Sequence, residues 1–330
     1  METEPHYTMY ANEHPLDYNR RVLYVLLIVT LILRIVYVLS LNTEPVRYDA
    51  DTYDTIARNI LRHGAFSWYY PRPTAYVTPG YPLFLAGIYA LFGESNFAAV
   101  RVIQAILSVG IIMFIFQSVR QITPNSAAPW IAAAFCILYL PFTEVNQFIL
   151  TEVLFSFVLA VCFHAMILAE KYRCARYWIW FGAMLGLSCL VRPILFFLPF
   201  AIWIIEAAIS FIKKRSQNEG NIPRRTREII LVYLVFILTL SPWIIRNIVA
   251  FKAFIPFSTE GGNPLYLGSV YDYKVDEKSM HDKGLGEMEQ NRVWVRKAWG
   301  NIKRGMSSSP FRYSSWYFSK IRSNSSNMGR

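Results

Sequence analysis

Long apolar runs recur along the chain, and they limit what it can fold into. A helix rises about 1.5 Å per residue, so roughly 20 apolar residues cross the hydrocarbon core of a bilayer. Such runs occupy 22–41, 97–119, 129–143, 149–170, 177–191, 194–212 and 229–246, the third and fifth being short. Composition agrees: 54% of the 330 residues are hydrophobic, 17% are charged, and the mean hydropathy is +0.29. A soluble domain carries about a quarter charged residues and needs more polar surface than this. Aromatic residues reach 16%, which suits the interfacial belts of membrane proteins, and Trp178, Trp180, Trp203 and Trp243 are expected to serve as such anchors. The pattern predicts an all-α polytopic membrane protein with about seven transmembrane helices.

The formal net charge of +11 does not point to nucleic acid, because the cations fall in short clusters between apolar runs. Lys213, Lys214, Arg215, Arg224, Arg225 and Arg227 form the densest cluster. Clusters of this kind orient membrane loops towards the cytoplasm. The first span follows Arg20-Arg21 without a small-residue cleavage site and reads as an uncleaved signal anchor. With residues 1–21 cytoplasmic, Arg120, Lys171, Arg173, Arg176 and the 213–227 cluster all fall inside. Loops 42–80 and 141–148, poorer in cations, fall outside, as does 247–330. That last segment has 13 basic and 7 acidic residues, but long segments translocate largely regardless of charge. Cys136, Cys162, Cys174 and Cys189 contain no CxxC spacing and read as small core residues; there is no Walker-type loop, GxGxxG or HExxH. Nor does an internal repeat of the kind that builds secondary transporters emerge.

Two segments of the first outer loop are helical without spanning. Over 52–62, Tyr53, Ile56, Ala57, Ile60 and Leu61 share one face, with Asp54, Arg58, Asn59 and Arg62 opposite. Asp51 is expected as its N-cap and Gly64 as its C-cap. The run from Tyr81 to Phe92, closed by Gly93, is too short to cross and reads as re-entrant or interfacial. Ionisable residues near hydrocarbon are the informative ones. Asp49, Asp51, Arg101, Glu144, Glu152, Arg192 and Arg246 all map to the outer face under this topology. Asp49 has no capping duty. Asp51 and Glu152 suit helix starts, Arg192 and Arg246 are either snorkelling cations or anion ligands, and Arg101 either flanks a span or joins them. Glu144 reads as a loop charge, and Arg34 as a cation snorkelling out of the first span. Carboxylates with guanidinium groups beside lipid suggest a lipid-linked phosphate substrate, whose departure needs cationic neutralisation while an acceptor hydroxyl needs a base.

The residues also carry a family resemblance. Arg47-Tyr48-Asp49-Ala50-Asp51-Thr52-Tyr53, Thr78-Pro79-Gly80-Tyr81-Pro82-Leu83-Phe84 and Leu91-Phe92-Gly93 resemble the first outer loop of GT-C membrane glycosyltransferases. The subgroup is that of the protein O-mannosyltransferase-like and aminoarabinose-transferase-like proteins, of the glycosyltransferase family 39 type. Leu150-Thr151-Glu152-Val153-Leu154-Phe155, Leu190-Val191-Arg192-Pro193, Pro242-Trp243-Ile244-Ile245-Arg246-Asn247 and Pro256-Phe257-Ser258-Thr259-Glu260-Gly261-Gly262 are similar to its later signatures. The resemblance implies a transmembrane domain over 22–246 with a catalytic outer loop at 42–96. It implies inverting transfer of a sugar from a polyprenyl-phosphate donor to a lipid, glycan or protein acceptor at the outer face of the plasma membrane. Asp49 matches the catalytic acidic position of the first loop, with Asp51 beside it, and Glu152 matches the acidic residue opening the fourth span. Arg192 and Arg246, with Arg101, resemble residues that approach the donor phosphate. No cofactor is implied beyond a divalent cation that Asp49 and Glu152 could hold. Members of this family usually continue with further spans, and by that standard the chain stops early at Arg330. A transporter or flippase of lipid-linked sugar, or a non-catalytic remnant, is the alternative reading of the same charges.

Overall fold

The computed structural model describes residues 16–41, 49–198, 200–205, 208, 226–270 and 285–316. The described residues contain helices and turns but no strands. The principal helices are α1 (Leu16–Ser40), α2 (Asp49–His63), α3 (Gly80–Phe92), α4 (Phe97–Ile122), α5 (Ala128–Leu138), α6 (Pro141–Glu144), α7 (Thr151–Tyr172), α8 (Ala175–Val191), α9 (Thr226–Phe251), α10 (Gly262–Ser269) and α11 (Glu287–Ser308). Arg21–Ser40, α4, α7 and Arg227–Phe251 are long and apolar enough to cross a membrane. The third expected span is a pair, Ala128–Leu138 and Pro141–Gln147, bent by 61°, and it brings the number of candidate spans among the described residues to five if counted as one. The expected fifth span is the 17-residue α8, and the sixth falls partly outside the described residues, as do Arg47-Tyr48 and the basic cluster from Lys213 to Arg225. The molecule is an all-α polytopic membrane protein.

The chain divides into two compact units, Met1–Ala50 with Asn96–Met184, and Asp51–Ser95 with Leu185–Arg330. In the first, α4 is central and packs on α1, α5 and α7. Leu23, Leu27, Val109, Ile112, Phe116, Ala133 and Cys136 make its apolar core. Helices α4 and α7 run parallel, as three levels of contact show. Arg101 and Gln104 near the start of α4 bond the segment leading into α7. A Cβ on Gly110 would lie 2.7 Å from the Phe157 ring, so glycine permits the close approach that membrane helices need in the absence of a hydrophobic driving force. At the far end Ser118 Oγ lies 3.1 Å from His164 Nδ1, and Lys171 donates to Gln121. Arg34 does not snorkel: it is only 2% exposed and its Nη2 donates to the Cys136 carbonyl at 3.5 Å. Helix α1 turns it inward, where a backbone carbonyl is its acceptor.

The second unit is built around loop 65–79. The chain enters it through α2, whose C-terminus is closed as expected by Gly64 at φ +62°, with Gly64 N–H donating to the Ile60 carbonyl and Ala65 N–H to that of Asn59. The other end of α2 differs from expectation. The helix starts at Asp49, so Asp51 stands inside the first turn, exposed, rather than at the N-cap. Asp54 is not on a solvated face either: it is 4% exposed, because α3 and Ser95 cover it. Helix α9 contains Pro242, which cannot donate to the Leu238 carbonyl; the Ser241 hydroxyl does so instead at 2.8 Å. Two expected interfacial anchors, Trp178 and Trp243, are buried. Trp243 packs with Ala75 and Ile255 and donates its indole N–H to the Phe257 carbonyl, a partner inside the protein instead of the lipid headgroups.

Candidate active site

Loop 65–79 is tied down from four directions. Asn59 Nδ2 donates to the Ser67 carbonyl at 2.9 Å. Arg246, on α9, donates from Nη1 to the Thr74 carbonyl at 2.7 Å and to Asn247 Oδ1 at 2.9 Å, and from Nη2 to the Phe66 carbonyl at 2.7 Å. Its guanidinium stacks among the rings of Phe66, Trp243 and Phe251, with centroids 5.0–5.5 Å away. Glu287, in the first turn of α11, accepts from Thr74 Oγ1, the Ala75 N–H and Thr259 Oγ1. Thr259 N–H in turn donates to the Ala75 carbonyl, and Asn247 Nδ2 to that of Ile255.

The loop's exit is fastened to the end of α8. Thr78 Oγ1 donates to the Val191 carbonyl at 2.7 Å, and a Cβ on Gly80 would lie 2.7 Å from the Leu190 carbonyl oxygen. Thr78-Pro79-Gly80 and Leu190-Val191-Arg192-Pro193 are thus two halves of one contact, which requires a hydroxyl and a bare backbone. Arg192 follows directly, half-buried, with extended backbone between α8 and the short 3-10 turn Pro193–Leu195. The structure therefore brings Arg192 and Arg246 to the same loop.

Asp54 holds α2 against α3. It accepts from Tyr89 Oη at 2.8 Å and Ser95 Oγ at 2.9 Å, and pairs with Arg58 Nε at 2.9 Å. Burial first, and then the bond to Asp54, raise the Tyr89 phenol well above its usual range. At the rim, Arg62 grips Glu94 with two nitrogens and holds that carboxyl below its ordinary range.

In the first unit lie Asp49, Arg101 and Glu152. Asp49 is exposed at the start of α2. Arg101 and Glu152 flank the same short segment, 141–150. Arg101 Nε donates to the Gln147 carbonyl at 3.1 Å, and Gln104 Nε2 to the carbonyls of Asn146 and Phe148. Asn146 Nδ2 closes the turn onto Phe142 and Thr143. Glu152, in the first turn of α7, lines a cavity of about 260 Å³ with Ser108, Tyr139, Phe142 and Ser156. Sequence reasoning passed over Gln104 and Asn146, although an amide inside an apolar run is itself a signal. Asp54 and Glu287 were missed because an acidic residue in a helix's first turns reads equally well as a dipole complement. Among the described residues, no group of three or more His, Cys, Asp and Glu side chains could hold a metal ion.

The class of protein comes from comparison with known families: an all-helical membrane protein whose matched region carries a glycosyltransferase signature. The family model for dolichyl-phosphate-mannose-protein mannosyltransferase matches residues 76–245, just over half of the chain, and the chain belongs to that family. The matched stretch contains Arg101, Glu152 and Arg192; Asp49 and Asp51 precede it, and Arg246 follows immediately. No curated protein matches the chain.

Proposed function

We propose that this glycosyltransferase takes its sugar from a polyprenyl-phosphate carrier and passes it, with inversion, to a hydroxyl acceptor at the outer face of the plasma membrane. The observation that carries the reading is the family match, which extends over Arg101, Glu152 and Arg192. In this reading Asp49 takes the proton of the acceptor hydroxyl. The oxygen attacks the anomeric carbon opposite the phosphate, the carbon–oxygen bond to phosphate breaks, and the electron pair leaves with the polyprenyl phosphate. Arg192, Arg246 and Arg101 offset the charge that develops on it. Glu152 orients the acceptor from its cavity, and Asp51 supports Asp49. Residues 1–21 are cytoplasmic, 22–246 form the transferase domain, and 247–330 are extracytoplasmic.

The test is sugar transfer by the purified full chain from a synthetic polyprenyl-phosphate donor, with the product's anomeric configuration read by NMR. Asp49→Asn is expected to lower kcat by about 10²–10⁴-fold, the usual contribution of a positioned base, while Asp51→Asn stays within a few-fold. A larger kcat loss from Asp51→Asn in a folded protein would exchange the two roles. Movement of intact donor across vesicles without bond formation would favour the transporter reading.

A further inference from the structure

Outside the residues considered so far, a cavity lies at the C-terminal side of the second unit. It has a volume of about 480 Å³ and is walled by the end of α10, the last turns of α11 and the helical residues 310–316 that fold back on them. Its walls are set by specific contacts. Gly305 lies beneath the Tyr313 ring, where a Cβ would come within 2.3 Å of Cδ2, so only glycine lets the chain double back there. Tyr313 Oη donates to the Ser269 carbonyl at 3.2 Å, and Asn301 Nδ2 donates to Ser269 Oγ. The walls are therefore fastened at both ends.

What faces the cavity is cationic and rich in donors. Arg304 and Arg312 stand eight residues apart, on α11 and on the helical residues that fold back on it, and line the cavity together with Ser269, Ser308 and Ser309. Arg304 is held along α11 by its Nη2 bond to Asn301 Oδ1 at 2.9 Å and its Nε bond to the Gly300 carbonyl. No described carboxylate pairs with either arginine; the ion pairs among the described residues are Arg58–Asp54, Arg62–Glu94 and Arg173–Glu170. Two guanidinium groups, with no carboxylate among the described wall residues, match the oxygens of a phosphate monoester through charge-assisted and bidentate bonds; Ser309 adds a hydroxyl, while those of Ser269 and Ser308 already donate to the Tyr266 and Gly305 carbonyls. The volume falls in the range of small-molecule sites and exceeds what a bare phosphate fills, which leaves room for a sugar or the start of a lipid chain.

We propose that this cavity is a second, non-catalytic site that binds a phosphoryl group, with Arg304 and Arg312 as its two cationic ligands. It does not depend on the transfer reaction or on any residue assigned to it. The chemistry is shared by soluble phosphate esters and by lipids that end in a phosphate monoester, and the experiment separates them. The purified full chain, checked for monodispersity and helical content, is titrated with inorganic phosphate and with a hexose phosphate. It is also tested for binding to vesicles doped with polyprenyl phosphate, phosphatidic acid or phosphatidylglycerol. Saturable binding of the soluble esters, weakened about tenfold to a hundredfold by Arg304→Gln or Arg312→Gln, supports a soluble ligand. The same dependence seen only with the monoester lipids supports a headgroup site. Arg→Lys variants should keep the point charge and recover part of the affinity, which guards against a folding defect. Equal binding by wild type and the double Gln variant would overturn the proposal. So would equal binding to phosphatidylglycerol, or a response that chloride reproduces at matched ionic strength.

Discussion

By sequence Arg246 is either a snorkelling cation or an anion ligand. The structure gives three of its five N–H donors to two loop carbonyls and an amide oxygen, and surrounds it with three aromatic rings. A guanidinium with donors left over can fasten a loop and still present charge to a phosphate. Arg246→Gln is therefore expected to lower thermal stability by about 1.5–3 kcal/mol and to weaken donor binding as well. Lysine should restore little, because it lacks the planar fork. An unchanged melting temperature would mean that the carbonyl bonds contribute nothing. At Asp54 the prediction concerns pH. The Tyr89 phenol titrates higher in the folded chain than in the unfolded one, so its contribution is fully present below about pH 10 and is lost as pH rises through the raised value. The stability difference between wild type and Tyr89→Phe should narrow above pH ~10; a constant difference from pH 8 to 11 would count against this account.

Among elements, the contacts that matter are close approaches to glycine backbone. Gly80 against Leu190, Gly110 against Phe157 and Gly186 against Thr239 each leave no space for a methyl group. The neighbour of Gly80 is a carbonyl, which cannot swing aside as a side chain can. Gly80→Ala is expected to destabilise the second unit by about 1–3 kcal/mol through overpacking, measurable as a fall in melting temperature. Gly87→Ala, where nothing lies within 4 Å of a built Cβ, should be neutral or slightly stabilising and serves as the control in the same helix. If both substitutions behave alike, the Thr78-Pro79-Gly80 contact with α8 is not what positions Arg192.

For the molecule as a whole, the two ends of the α4–α7 pair can be told apart by chemistry. One end carries Arg101 and Gln104 on the 141–150 segment, the other the Lys171–Gln121 contact and the exposed Cys174. Cys136, Cys162 and Cys189 are buried, so Cys174 is the one described thiol open to a reagent. If the basic loops face the cytoplasm, a membrane-impermeant maleimide added to intact cells should leave Cys174 unlabelled and reach it only after permeabilisation. A cysteine at Gly261 in the Cys174→Ser background should label from outside, and one at Asn218 should not. Labelling of Cys174 from outside would invert the topology and remove the proposed acceptor side.

The sequence alone determined the class of fold, because a helix that crosses a bilayer must be apolar along its whole length and that demand is written residue by residue. It also determined the amphipathic helix α2, the short apolar helix α3 and the C-caps at Gly64 and Gly93, which are local matters of periodicity, run length and backbone sign. The signature segments were legible as segments, but not their partners. Thr78 finds Val191 at a separation of 113 residues, Glu287 finds Thr74 at 213, and Arg246 finds Phe66 at 180. Nothing local encodes such pairs, so Asp54, Gln104 and Glu287 read as ordinary polar residues until the packing buried them. Where hydrocarbon or protein replaces water, each donor and acceptor must find a partner wherever the fold provides one. That choice belongs to the tertiary structure.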